Sequence, residues 1–404
     1  MIPVAEALER MMAAFTPLPA EEVVLVNALG RVLADDVIAR VTQPSAAVSA
    51  MDGYAVRHAD LGSLPARLEV VGMAPAGGAH DGIVGPGQAV RIFTGGPVPD
   101  GADTIVIQED TDADGATVTI RDCGPVGDFI RPAGLDFRAG EVGVRAGRVL
   151  TARDLGLAAA MNVPWVRVRR RPRIAILSSG DELVRPGDPL GPNQIISSNG
   201  ISLSAFVATY GGEAINLGVA PDNEEALRAM ATTARGADLL VTSGGASVGE
   251  HDLVQQALGA EGLEVAFWKV AMRPGKPLMF GRLGETPFLG LPGNPVSSLV
   301  CAVIFLRPIL ARMLGVTHID TSPVTALLGA DLAANDRRQD YLRATLARDE
   351  DGNLIATPFA KQDSSMLSRL AHADCLIVRP PHAPPAAAGE PVTIIPLADP
   401  AFGL

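Results

Sequence analysis

Three times between Arg173 and Leu310 the chain runs from an apolar strand, through a turn carrying Gly, Ser, Asp or Pro, towards a helix. The passages are RIAILSSGDEL (Arg173–Leu183), DLLVTSGGASVGEHDLV (Asp238–Val254) and PFLGLPGNPVSSLV (Pro287–Val300). Backbone N–H groups at such a helix start, uncrowded where glycine lacks a side chain, form a cradle for an anion. Three such turns in one segment, interleaved with acids and with Lys269, Arg273 and Lys276, point to one phosphate-bearing ligand shared among several loops.

The rest of the segment has the pattern that places those turns together. Strand-like IAIL, AINLGVA, LLVTSG, EVAFWKV and FLGL alternate with helical stretches at Gly200–Tyr210, Glu224–Ala234, Leu253–Leu258 and Val296–Leu314. This is the signature of a mostly parallel sheet covered by helices on both faces. In such sheets ligands sit at the carboxyl ends of the strands, where all three turns fall. Asn294 is placed to cap the last helix, with Pro295 at its first position.

With 404 residues, two to four domains are expected. Pro3–Phe15 has helical spacing of apolar residues, and an amphipathic stretch from Glu21 ends near Gly30 before the strand-like VIARV. Gln43–Ser49 reads as a linker. From Met51 to about Gly147, short β-type runs alternate with Gly and Pro turns, and Leu150–Met161 returns as a helix. The β unit is therefore expected to be an insertion. From about His318 the runs are β again, without helical period. The fold class is α/β multidomain: a central three-layer α/β domain, an inserted small β domain, an N-terminal helical and extended domain, and a C-terminal β-barrel-like domain. The expected boundaries are 1–43 plus 146–172, 44–145, 173–318 and 319–404.

A net charge of −12 and an aromatic content of 4% argue against a nucleic-acid partner, which needs a basic field and stacking platforms. Cys123, Cys301 and Cys375 are scattered without CxxC spacing, so neither a disulfide framework nor a zinc site is expected. The opening MIPVAEALERMM does not read as an export signal, and the apolar run near Val296–Leu310 is interrupted by Arg307 and Pro308. No membrane partner and a cytoplasmic location are expected. An acidic protein that binds an anion must gather its cations locally or recruit a metal.

Glu182, Asp222 in VAPDNEE and Asp252 in GEHD project towards the proposed crevice, where hard carboxylates beside a polyphosphate suit Mg²⁺. Taken singly, Asp222 could simply cap the helix at Glu224, and Glu182 could decorate a turn. In the β unit, SAMDGYAV and RIFTGGPVPDGAD stand out, although Asp52-Gly53 and Thr94-Gly95-Gly96 could each be ordinary turns. His251 is the one histidine near the proposed site. No HExxH or P-loop is present in the sequence.

Taken together and in order, PSAAVSAMDGYAV, VRIFTGGPVPDGAD, SSGDELVRPG, ISSNG, GVAPDN, TSGGASVGEHD, MRPGKP and LPGNPVSS closely resemble the molybdopterin molybdenumtransferase family, which includes MoeA and gephyrin E domains. The resemblance spans essentially the whole chain. It implies Mg²⁺-dependent insertion of molybdate into adenylylated molybdopterin, with release of AMP. It also implies an elongated homodimer whose active site is shared between subunits, so that Asp52 and Thr94 act in trans. Transient contact with the adenylyltransferase and with molybdoenzyme apoproteins is implied as well.

By resemblance, Asp52, Thr94, Glu182, Asp222 and Asp252 are the functional acids and threonine, with Glu182 and Asp252 as metal ligands. Lys269, Lys276, Pro292 and Pro295, with Gly293 and Asn294 between them, match substrate-side positions. Arg343 and Ser364 match the oxyanion positions. Ser243, Gly244, Gly245 and Ser247 supply turn donors, together with Arg273. The family usually has Lys where Arg273 stands and Thr where Ser179 stands. Arg keeps the charge but offers a planar fork instead of a point donor. The alternatives are a molybdopterin adenylyltransferase, which shares the central module, and a non-catalytic gephyrin-like scaffold.

Overall fold

A computed structural model describes residues 1–244, 258–259, 262–317 and 324–397. The N-terminal part holds helix α1 (Val4–Ala13) and strand β1 (Ala20–Val24), which pairs antiparallel with β8 (Trp165–Arg169). The stretch from Glu21 is thus a strand followed by one 3₁₀ turn, Leu25–Asn27. Its apolar spacing looked amphipathic, but β-branched Val23 and Val24 find cross-strand partners in Val166 and Trp165.

Between these two strands lies a six-stranded sheet. Its strands are β2 (Gly53–Val56), β3 (Ala66–Ala74), β4 (Gln88–Ile92), β5 (Thr104–Ile107), β6 (Thr111–Asp114) and β7 (Thr117–Ile120), ordered β5-β2-β4-β3-β7-β6. Helix α2 (Ala152–Ala160) follows. It is started by a capping box in which the Thr151 side chain and the Asp154 carboxylate satisfy each other's backbone N–H.

The central sheet comprises β9 (Arg173–Ser179), β10 (Glu213–Ala220), β11 (Leu239–Ser243), β12 (Leu263–Trp268), β14 (Met279–Leu283) and β15 (Thr286–Leu291); the two-residue β13 (Met272–Arg273) belongs to the next sheet. The order is β10-β9-β11-β15-β14-β12, parallel through the first four strands and antiparallel at β14 and β12. β11 is buried throughout and β9 beyond its first residue, as expected for strands covered on both faces. The covering helices include α3 (Asn199–Thr209), α4 (Glu224–Thr232) and α5 (Pro295–Leu314). The helix expected over 253–258 falls largely outside the described residues.

Arg307 and Pro308 do not interrupt α5. Its first α-helical turns, Pro295–Cys301, pass through a π turn at Ala302–Leu306 into a further α segment, Arg307–Leu314. By length and composition alone this helix could cross a membrane, yet it is mostly buried inside the protein. Phe305, Ile309 and Leu310 join Ile174 and Val241 of the sheet and Ala7 and Met11 of α1 in one core.

The C-terminal strands are β16 (Val324–Leu328), β17 (Gln339–Arg348), β18 (Leu354–Pro358), β19 (Cys375–Arg379) and β20 (Pro391–Pro396). They run β17-β18-β16-β20-β19, and pairing of β19 with β17 closes them into a five-stranded barrel. The short helix α6 (Leu367–Ala371) is the one helical element here that periodicity did not reveal. β13 attaches to β17 in parallel, with Arg273 opposite Asp340, and so ties the central domain to the barrel. The three cysteines are free.

Candidate functional site

Parallel strands end together, so the turns after β9, β11 and β15 share one wall of a cavity of about 930 Å³. Ser179, Gly180 and Glu182 come from the first turn, Ser243 and Gly244 from the second, and Pro292 to Pro295 from the third. Arg273 and Lys276 line a second side. Arg338, Gln362, Ser364 and Ser365 of the barrel close a third.

Glycine is required where the turns meet. Gly244 has φ +97°, and a Cβ there would lie 2.2 Å from the carbonyl oxygen of Ser179. The β9 and β11 turns therefore touch backbone to backbone. Asn199, at the start of α3, locks the other junction: its Nδ2 donates to Ser243 Oγ and to the Gly293 carbonyl, both at 2.7 Å. Its Oδ1 is buried without a hydrogen-bond partner. The sequence contains Asn199 within ISSNG, but its bridging role depends on two turns distant in the chain.

The acids divide by environment. Asp222 does not cap α4; Asn223 does, accepting the Ala226 N–H at 2.8 Å. Asp222 Oδ1 instead accepts the Ser179 hydroxyl at 2.6 Å, while its N–H donates to Asp181 Oδ1 at 2.8 Å. This holds the Asp222 carboxylate on the cavity wall. Glu182 also lines the cavity. Asp252, with Gly245, Ser247 and His251, lies outside the described residues.

The cations differ from one another as well. Lys276 lines the cavity, whereas Lys269 does not: its Nζ sits 3.8 Å from the centroid of the Trp268 ring, a cation–π contact. Arg343 is buried at 1% exposure rather than presented on the cavity wall. Its Nε donates to Gln362 Oε1 at 3.1 Å and its Nη1 to the Asp363 carbonyl at 2.8 Å, so it shapes the loop that carries Ser364. Burial pulls the Arg343 guanidinium below its ordinary value. Asn294 stands at the cap position of α5 without capping it; its Nδ2 donates to Ser364 Oγ at 2.9 Å. The Val296 N–H donates to the Ser364 carbonyl at 3.2 Å, so the barrel loop satisfies a donor at the helix start.

Asp52 and Thr94 form a separate unit. Oδ1 of Asp52 accepts the Thr94 N–H at 2.7 Å and its hydroxyl at 2.8 Å, joining the residue before β2 to the turn after β4. The two Thr94 bonds, with Arg91 nearby, hold the Asp52 carboxyl below the usual carboxylate range. Among the described residues, none from this sheet lines the cavity of the same chain. Thr94→Val removes the hydroxyl bond and keeps the backbone bond. The Asp52 pKa is expected to rise part of the way back towards its ordinary value in an NMR pH titration. The interaction that keeps Asp52 ionised is fully present above the ordinary value and is lost as pH falls through the depressed one. An unchanged titration would show that the hydroxyl contributes nothing.

Among the described residues no group of three or more His, Cys, Asp or Glu could hold a metal. Glu182 and Asp222 still offer hard oxygen donors on one wall. That suits Mg²⁺, which takes one or two carboxylates and fills the rest of its shell with water and phosphate oxygens.

Comparison with known proteins covers nearly the whole chain. The family described as MoeA N-terminal region (domain I and II) matches residues 2–162, the probable molybdopterin binding domain matches 175–312, and the MoeA C-terminal region (domain IV) matches 325–397. The molybdopterin molybdenumtransferase of Haemophilus influenzae is 36% identical, over 94% of this chain and 94% of that protein. Molybdopterin molybdenumtransferase 2 of Mycobacterium tuberculosis is 38% identical, over 95% and 96%. Two solved structures of the molybdopterin biosynthesis MoeA protein from Pyrococcus horikoshii superpose with TM-scores of 0.85 and 0.83. They are 30% and 26% identical, each covering 98% of this chain and 99% of that one.

Proposed function

This chain belongs to the molybdopterin molybdenumtransferase family, a family of transferases in molybdenum cofactor biosynthesis, and from that membership we propose that it inserts molybdate into adenylylated molybdopterin and releases AMP. The observation that carries the reading is the composition of the cavity. Turn backbones, two carboxylates, Arg273, Lys276 and the Ser364 loop converge on one space large enough for a nucleotide-linked ligand.

In this reading the turns after β11 and β15 hold phosphate oxygens with backbone donors, and Lys276 adds a point charge. Glu182 and Asp222, with Asp252, hold Mg²⁺, which when bound neutralises the pyrophosphate and polarises its phosphorus–oxygen bonds. Ser179 keeps the Asp222 carboxylate oriented. Molybdate, a tetrahedral dianion, is received by Arg273 and by the loop that Arg343 fixes, where donors set before the anion arrives need not reorganise. The proposal includes a homodimer in which Asp52 and Thr94 complete the partner's cavity. It also includes a cytoplasmic location and passing contact with the enzymes that supply the adenylylated pterin and accept the cofactor.

The test is reconstitution with adenylylated molybdopterin and Mg²⁺, with and without molybdate. AMP release that depends on molybdate and yields active cofactor is expected. Incorporation of AMP from ATP into molybdopterin, without molybdate, would make the protein an adenylyltransferase instead. The shared site has its own test, because in a mixed dimer the Asp52 lesion of one subunit falls in the cavity that already carries the other subunit's Glu182 lesion, leaving the second cavity intact. Mixing inactive Asp52→Ala with inactive Glu182→Ala subunits is expected to restore about a quarter of wild-type activity, since half of randomly paired dimers then hold one intact cavity. No restoration would mean that Asp52 does not act in the cavity of the partner subunit.

A further inference from the structure

Arg273 faces the cavity, but what holds it lies behind the wall. Its side chain is 48% exposed and lines the cavity, whereas the Asp340 side chain is 4% exposed and does not. Parallel pairing of β13 with β17 sets Arg273 opposite Asp340. One edge of the guanidinium, Nε and Nη2, donates to a single oxygen, Asp340 Oδ2, with Nε at 3.0 Å. The other oxygen, Oδ1, is buried without a hydrogen-bond partner.

The neighbouring acid does not do the same work. Asp336 is saturated by Arg338, which reaches Asp336 Oδ2 through Nη2 at 2.7 Å and Asp336 Oδ1 through its backbone N–H at 2.8 Å. Asp336 is left a 3.5 Å contact with Arg273 Nη1. Arg338, on the cavity wall, is thus paired with Asp336, and Arg273 is paired with Asp340. Arg273 Nη2 also donates to Asn335 Oδ1 at 3.4 Å, so Asp340 is its chief acid and not its sole contact.

From this geometry we propose that Asp340 is a positioning residue: it grips the back edge of Arg273 from the barrel and leaves the front of the guanidinium aimed at the oxyanion in the cavity. This rests on the molybdate-inserting function proposed above. An arginine can serve both partners because its planar fork has five N–H donors in fixed directions. Fixing the fork during folding removes an ordering cost that binding would otherwise meet. Asp340 touches no substrate in this account; it acts entirely through Arg273. The place of the pair, where β13 of the central domain's chain segment joins the barrel sheet, makes the cavity's shape depend on how the two domains dock.

The experiment is a double-mutant cycle on the full-length protein, with Asp340→Asn, Arg273→Ala and the pair, read in two ways. One is the molybdate dependence of AMP release; the other is binding of molybdate alone by calorimetry. Asp340→Asn is expected to weaken the molybdate dependence about 10- to 100-fold, the scale of a misplaced binding group, with little change in the concentration of adenylylated molybdopterin required. In the Arg273→Ala background Asp340→Asn should add almost nothing, because the residue it positions is gone. Losses that multiply in the double variant, or an Asp340→Asn protein with wild-type molybdate binding, would overturn the proposal. A thermal melt of each variant separates misfolding from misplacement, and Asp340→Glu, which keeps the carboxylate, is expected to recover part of the loss. If the wild type releases no AMP with molybdate, the functional reading fails. The calorimetric cycle still reports whether Asp340 acts through Arg273.

Discussion

Gly244→Ala is expected to lower the rate of AMP release by about 100-fold or more, the largest functional effect of any single methyl group in this protein. Two independent penalties meet at that position. The backbone sits at φ +97°, which L side chains rarely adopt, and the new Cβ would stand 2.2 Å from the Ser179 carbonyl oxygen. Backbone, not a flexible side chain, blocks it, so one turn must shift away from the other. The shift moves the ends of β9 and β11 apart where Ser179 orients Asp222 and where Ser243 meets Asn199. The two turns that share this cavity wall lose register together. The measurement is steady-state AMP release beside far-ultraviolet circular dichroism. A folded protein of undiminished rate would mean that the two turns can separate without consequence.

The largest stability effect is expected from Phe305→Ala. Phe305 is fully buried at the π turn of α5, in the core shared by the central sheet, α1 and α5. Removing its ring is expected to cost about 3–5 kcal/mol, the sum of lost burial and the cavity left behind. Native-state hydrogen exchange of the β9 and β11 amides reads that loss where it arises, without assuming that the whole chain unfolds at once. The exchange free energy of those amides should fall by that amount, while barrel amides away from Tyr341 and Leu376, which belong to the same core, change little. Equal loss in sheet and barrel would mean that the two domains open as one unit.

How much of this could be read from the chain alone depended on distance in sequence. The three turns were legible because glycine and proline mark them and apolar strands precede them. The inserted β sheet was legible from period-two runs between turn residues. The Ser179–Asp222 bond was not, because it needs β9 to lie beside β10, and helix capping offered Asp222 an equally good local use. The Arg273–Asp340 pair joins residues 67 apart through the pairing of a two-residue strand onto the barrel sheet, and nothing local in RRQDY announces it. For Lys269, charge beside a Pro-Gly turn suggests anion contact, and the contact with the neighbouring Trp268 ring could not be read from that pattern. Arg343 was identified only through family resemblance. The structure shows it behind the loop it organises, and that position follows from barrel closure rather than from any motif.

The π turn in α5 carries a consequence for how this chain can change length. A regular α-helix advances about 100° per residue, and the wide turn at Ala302–Leu306 takes up one extra residue without breaking the hydrogen-bonded spiral. The wide turn therefore absorbs that residue locally, so the half of the rod that begins at the third turn and the half that packs on α1 keep their faces in step. Deleting one residue within it would restore an ordinary spiral and leave Ile309, Leu310 and Met313 facing the interior they now fill, whereas a deletion in the regular spiral on either side would turn one half by about 100°. A single-codon loss is therefore expected to be accepted within the wide turn and rejected in the regular spiral beside it, where it would turn a greasy face outward.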